Sequence, residues 1–223
     1  GKPAMLSWFR GKRKALLSLM FGFAFIGIPV QTTIAWAPTY LIRHFHFNPG
    51  EAGLALGLIA LVFGASGMIA GGWMVDRLKG RGGDDAPMRV GLGAALGALP
   101  FAVTATLVSD AMVCLLLLGP LLFFVSCGIG AAPTGIQLIT PNPYRAQVSA
   151  LYMLILNLIA TGGGPALTAL ATDFIFADEG AVGNSILLVN GVAIAIAGII
   201  FFKGMKPYGD AFRVVDNAVG ISN

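Results

Sequence analysis

Residues 52–81 read AGLALGLIALVFGASGMIAGGWMVDRLKGR, an apolar run from Ala52 to Val75 with no charged side chain, closed by Asp76-Arg77-Leu78-Lys79-Gly80-Arg81. Spanning about 30 Å of hydrocarbon takes about 20 mainly apolar residues in helical form, so this stretch is long enough to cross a bilayer and to end on charges at its surface. Gly53, Gly57, Gly64, Gly67 and Gly71 recur at spacings of three, four and seven, which puts them on one narrow helical face. Such a face lets a neighbouring backbone approach closely, as small-residue faces do between membrane helices, and two such faces are also able to slide. Gly93 and Gly97 repeat the spacing further on.

Five more runs of this kind flank it, giving six in all: approximately Ala15 to Ile42, Ala52 to Val75, Val90 to Val108, Ala111 to Ile139, Ala146 to Ala177 and Ser185 to Phe202. No period-two alternation appears, and backbone amides in lipid must be paired within the protein, so the fold class is all-α integral membrane with six transmembrane helices. The composition agrees. Of 223 residues 57% are apolar and 11% charged, with a mean hydropathy of +0.83, whereas soluble domains carry about 25% charged residues. The two cysteines, Cys114 and Cys127, lie about 20 Å apart along one helix and cannot bridge within it.

The net charge of +4 is distributed as a topology signal and does not form the amphipathic face of a nucleic-acid binder; no nucleic-acid partner is expected. All but one of the fourteen Lys and Arg side chains fall before the first span, between the second and third, between the fourth and fifth, or after the sixth; the exception is Arg43. Glu51, Asp110, Asp178 and Glu179 lie in the opposite loops. Both termini are therefore expected in the cytoplasm and the loops near Phe47, Ser109 and Glu179 outside. Residues 1–14 read as a basic leader, 15–203 as the membrane bundle and 204–223 as a polar tail too short to fold. The leader fits the central cytoplasmic loop of a longer protein.

Asp76 sits badly at the C-terminus of its own helix, the negative end of the macrodipole, and is expected to need a neighbouring helix N-terminus, Arg77 or Arg81 as partner. The pattern Gly72-x-x-x-Asp76-Arg77-x-x-x-Arg81 after the second of six helices resembles the loop signature of the major facilitator superfamily, although Gly82-Gly83-Asp84-Asp85 beyond it is looser than the family's strongest form. Pro38-Thr39-Tyr40-Leu41, Glu51-Ala52-Gly53-Leu54 and Arg145-Ala146 are similar to the C-terminal half of such carriers. Asn157-Leu158-Ile159, Gly162-Gly163-Gly164-Pro165 and Thr172-Asp173 most resemble the bacterial spinster-like branch. The resemblance runs from about Leu16 to Phe202. It implies one half of a twelve-helix bundle, a secondary transporter for a small organic or amphiphilic solute working by alternating access, with a missing N-terminal six-helix half and the lipid bilayer as partners. It also implies that Gly72, Asp76, Arg77 and Arg81 form a conformational-switch loop.

Polar groups at membrane depth are costly and therefore mark candidate sites. Asn157, twelve residues beyond Arg145, lies about 18 Å into the bilayer, with Thr161 one turn further. Gln31, Thr32, Trp36 and Tyr40 stand in the outer half of helix one, and Ser126 and Gln137 in helix four. Each neutral group also fits a hydrogen bond between helices or back to its own backbone, and both roles stay open here; Asn190 in helix six fits the second. Gly162, Gly163, Gly164 and Pro165 lack restraint and then a helical donor, so a hinge is expected there. Pro29 and Pro38 in helix one, and Gly128, Gly130 and Pro133 in helix four, point to the same pliability.

No Asp, Glu, Lys, Arg or His falls near mid-membrane, so no proton-relay site is expected in this segment. His44 and His46 read as solvated, and no metal or cofactor is expected. No G-x-S-x-G, H-E-x-x-H or His and Asp cluster of a membrane enzyme is present. The alternative is a complete six-helix channel or permease subunit.

Overall fold

The computed structural model describes residues 2–219 and consists of six long helices joined by short turns. They are α1 Lys2–Phe45, α2 Pro49–Lys79, α3 Ala86–Thr104, α4 Ala111–Ile139, α5 Asn142–Phe176 and α6 Val182–Val219. All six are long and apolar enough to cross a membrane, as the apolar runs require.

Helix starts follow local chemistry. The Glu51 carboxylate accepts from the Asn48 backbone N–H at 3.1 Å and satisfies a free donor at the start of α2. Pro87 occupies the first turn of α3, where its missing N–H costs nothing. Asp110 caps α4 by accepting from the Val113 N–H at 2.9 Å. The guanidinium of Arg145 donates to the Thr140 and Gln137 carbonyls at 3.1 and 3.2 Å, closing the C-terminal end of α4.

The tail differs from the sequence reading. It is helical to Val219, and the leader is helical from Lys2; Gly1 and residues 220–223 lie outside the described residues. Packing, which composition does not register, accounts for this. Tyr208 is fully buried and its hydroxyl donates to the Gly135 carbonyl at 2.7 Å. The Lys12 ammonium donates to the Ala211 carbonyl at 2.8 Å, and Arg213 pairs with Asp84. These contacts, with Trp8 against Tyr144 at 5.6 Å, gather the leader, the α2–α3 turn, the α4–α5 turn and the tail at one end of the bundle. At the other end the Tyr40 hydroxyl donates to the Thr106 carbonyl at 3.2 Å, and the Thr172 and Ser185 hydroxyls are hydrogen-bonded to each other at 2.8 Å.

Within the bundle, α1, α3, α4 and α6 form the core, where Phe23 and Phe201 meet edge to face at 4.8 Å. The glycine face of α2 divides in two. A Cβ on Gly67 would stand 2.3 Å from the Phe123 carbonyl oxygen, and one on Gly71 2.0 Å from that of Cys127. Gly130 in α4 answers with 2.2 Å to the Met68 carbonyl oxygen. Here two backbones touch, as the spacing predicts. Gly53 and Gly57 meet nothing within 4 Å, nor does Gly93, while a Cβ on Gly97 would strike the Phe124 ring. Gly128 and Gly130, expected to give pliability, are thus occupied by packing against Ile26 and Met68.

The break in α5 takes the form of a π-helical stretch, Asn157–Gly163, with a second one at Ala171–Phe176. A shorter one, Ala60–Gly64 in α2, has no proline near it and was not foreseeable from composition. Cys114 and Cys127 are both free and buried.

A labelling experiment checks the arrangement of ends. Single cysteines introduced by Gly83→Cys and Asn48→Cys are expected to react from opposite sides of the membrane, Gly83→Cys only after permeabilisation and Asn48→Cys in intact cells. Labelling of both from one side would contradict six spans.

Candidate functional site

Burial is uneven around the bundle. In the most apolar stretch of α1, 67% of residues are buried, but the share falls to 17% in α5 and 11% in α2. α1 is the buried member that also reaches the open side, with Ile34 exposed and Gln31 half-buried one turn before it.

On that side α1 and α5 are joined by polar side chains. The Gln31 amide donates to Thr161 Oγ1 at 2.6 Å, and the Thr161 hydroxyl lies 3.4 Å from Asn157 Oδ1. The Asn157 amide nitrogen donates back to the Met153 carbonyl at 2.8 Å. Three of the sequence candidates thus form one connected chain. Asn157 and Thr161 are exposed, so the far lone pairs and the second Nδ2 hydrogen are free for a solute or water. The π-helical stretch begins at Asn157 and includes Thr161, and π-turns recur at functional sites because they leave backbone groups under-used. Just beyond it the Trp36 indole N–H donates to the Pro165 carbonyl at 3.1 Å, and Trp36 remains half-buried.

Other candidates stand elsewhere. Thr32 is fully buried with its hydroxyl unpartnered, and a Cβ on Gly164 would come within 3.1 Å of that hydroxyl; Thr32 packs α1 on α5. Tyr40 is buried, stacks on His44 at 5.3 Å and is held by the Thr106 carbonyl, so it ties α1 to the α3–α4 turn. Gln137 lies at the other end of the bundle, where its carbonyl accepts from Arg145; it is not brought near Asn157, because α4 ends only two residues later at Ile139. Ser126 is buried beneath an apolar groove of about 550 Å³ between α1, α2 and α4, reached past Gly57 and Gly64.

The loop motif is present without the expected partner. Asp76 is exposed in the last turn of α2, and no ion pair reaches it among the described residues. Arg77 instead lies over the Trp73 ring of its own helix at 5.2 Å. Gly72 faces α4, the Gly130 carbonyl oxygen 4.0 Å from its Cβ position, and Arg81 is exposed. Asn190 also departs from expectation: it is buried, yet neither side-chain atom has a partner. A run of hydroxyls between α5 and α6 was missed. Thr168 donates to the Gly164 carbonyl at 3.0 Å and Thr172 to the Thr168 carbonyl at 2.9 Å, and Thr172 then meets Ser185. The i, i+4 spacing of Thr168 and Thr172 was the available signal.

The comparisons bear on this arrangement. The chain is 25% identical over 206 residues to an MFS-type efflux pump of Mycolicibacterium smegmatis, matching 90% of this chain and 47% of that protein. Its fold is similar to the crystal structure of a bacterial homolog of the human lysosomal transporter Spinster in an inward-facing, unoccupied conformation, with a TM-score of 0.69, 19% identity and coverage of 93% of this chain and 50% of that one. An occupied, inward-facing structure of such a homolog gives a TM-score of 0.63 at 18% identity, over 90% and 49% of the two chains. The chain thus spans about half the length of the relatives it matches. A sequence model of the Major Facilitator Superfamily covers residues 2–165, from the leader through the polar chain of α1 and α5, and the chain belongs to that family of membrane transporters.

Proposed function

We propose that these six helices are the C-terminal half of a secondary transporter that moves a small organic or amphiphilic solute by alternating access. The observation that carries this reading is the Gln31–Thr161–Asn157 chain, with Asn157 and Thr161 exposed and Gln31 half-buried, shared by α1 and the sparsely buried α5 within their apolar spans. Polar side chains are costly against lipid, so an exposed polar edge there faces water or protein. The low burial of α2 and α5 supports a second six-helix unit against them, rocking about the solute. The groups on the edge are neutral donors and acceptors beside Trp36, which suits a neutral or amphiphilic solute better than a strongly charged one. The cited mycobacterial relative is described as an efflux pump, which supports transport as the class, and the fold likeness supports placement near the spinster-like branch. The charge distribution supports cytoplasmic termini in a bacterial cytoplasmic membrane.

The test is flux in proteoliposomes carrying the full-length carrier. Fluorescent neutral and amphiphilic probes are expected to move down their gradients, more slowly in Asn157→Leu. Transport confined to dicarboxylates or metal ions would contradict the reading.

A second expectation concerns Asp76. With no ion pair to it among the described residues, its carboxylate is available to an opposing helix N-terminus or arginine in another conformation. Asp76→Asn is expected to preserve expression while shifting the balance of inward-open and outward-open states and lowering turnover. Unchanged transport with unchanged thiol accessibility on both sides would show that the loop only anchors α2.

A further inference from the structure

Between the start of α1 and the end of α6 lies a cavity of about 680 Å³ that the transport reading does not use. Arg10, Lys12, Arg13 and Lys14 line it from α1 and Lys206 from α6, with Asp210 the single carboxylate among the lining residues. Five cations against one acid form a strongly electropositive recess. Its depth is fixed by the sequence: it lies where the apolar run of α1 begins at Ala15, which is buried and also lines the recess, and where that of α6 ends. This is the level of lipid phosphates on the face carrying nearly all the basic residues. The two walls are held together by the Lys12 ammonium on the Ala211 carbonyl, which leaves two of its three N–H donors for another acceptor. Trp8 stands at the rim against Tyr144, the position of an interfacial aromatic. The opposite lining is apolar, from Pro207, Ala211 and Val214.

We propose that this recess holds the headgroup of an anionic phospholipid of the cytoplasmic leaflet, its phosphate among the α1 cations and Lys206 and its glycerol and first methylenes along the apolar wall. Basic pockets between transmembrane helices on the cytoplasmic side take such headgroups by charge, and each Lys or Arg near the surface adds to the attraction. An inorganic phosphate shares the charge but has nothing for the apolar wall or the indole. The inference requires the basic end to face the cytoplasm and does not depend on what is transported.

Native mass spectrometry of the purified full-length carrier, titrated with phosphatidylglycerol or phosphatidylcholine, tests this. Phosphatidylglycerol adducts are expected to survive activation where phosphatidylcholine adducts do not. The variant Arg10→Gln/Arg13→Gln/Lys14→Gln is expected to weaken them about tenfold or more. Lys206→Gln, a single change on the other wall, is expected to weaken them measurably and serves if the triple variant fails to fold, as judged by its melting temperature. The control Lys79→Gln/Arg89→Gln/Lys203→Gln removes as many cations outside the recess and is expected to keep the adducts. Equal loss in the control would overturn the proposal in favour of diffuse leaflet charge. Retention in both recess variants would overturn it outright. Displacement of phosphatidylglycerol by millimolar inorganic phosphate would replace it with a free-anion site.

Discussion

Gly71→Ala is expected to be among the most damaging single-methyl changes in the protein, while Gly57→Ala on the same helix face is expected to be harmless. A methyl on Gly71 would lie 2.0 Å from the Cys127 carbonyl oxygen and 2.8 Å from its carbon. Both are backbone atoms of α4, so no side chain can rotate aside and the helices must separate. Overpacking where side chains still adjust costs about 1–3 kcal/mol; a backbone contact belongs at or above the top of that range. Separation would also loosen the neighbouring contacts of Gly67 with Phe123 and of Gly130 with Met68. At Gly57 the added methyl meets nothing within 4 Å, and the general preference of helices for Ala over Gly, about 0.5–1 kcal/mol, acts alone. Thermal melting in detergent checks the pair: a large fall for Gly71→Ala and little change or a small rise for Gly57→Ala. Equal behaviour would show that the contact of α2 with α4 is not where the structure puts it.

The second large effect is expected on function with little change in stability. Asn157→Leu keeps similar size but removes the amide that holds Thr161, and Gln31→Leu removes the donor from α1. These bonds lie on an exposed edge, so their loss leaves no dry orphan group and stability should fall little. If they bind solute, each loss should weaken apparent affinity by about 1–3 kcal/mol, roughly five- to more than a hundredfold. The double variant should lose less than the two single losses added together, because the residues act through one chain. The opposite pattern, a large fall in melting temperature with affinity unchanged in the surviving protein, would make the chain a brace between helices.

The contrast between these two sites shows what the sequence disclosed. Helix number and the close approach of α2 and α4 follow from apolar run lengths and glycine spacing. Each is a periodic or cumulative signal. The Gln31, Thr161 and Asn157 candidates were legible individually because polar groups at depth are rare, but that they touch depended on how α1 and α5 cross. Gln137 and Tyr40 read as equally good candidates, and only three-dimensional placement moved them to the Arg145 cap and the Thr106 carbonyl. The tail, read as too short to fold, is helical because tertiary contacts such as Tyr208 on Gly135 hold it, with no apolar run to announce it. Asp76 was expected to need a partner outside its own helix, and no ion pair reaches it among the described residues.

The central claim is that the open side of α1 and α5 borders a water-filled solute path. Reactivity of single cysteines toward a membrane-impermeant thiol reagent, measured in the full-length carrier in its native membrane, tests this most directly. Thr161→Cys is expected to react at a rate that changes when transported solute is added, and Val192→Cys, exposed near the middle of the apolar run of α6, is expected to stay unreactive in lipid. If Thr161→Cys is as inert as Val192→Cys in every condition, the polar chain faces lipid or a sealed interface and the account is wrong.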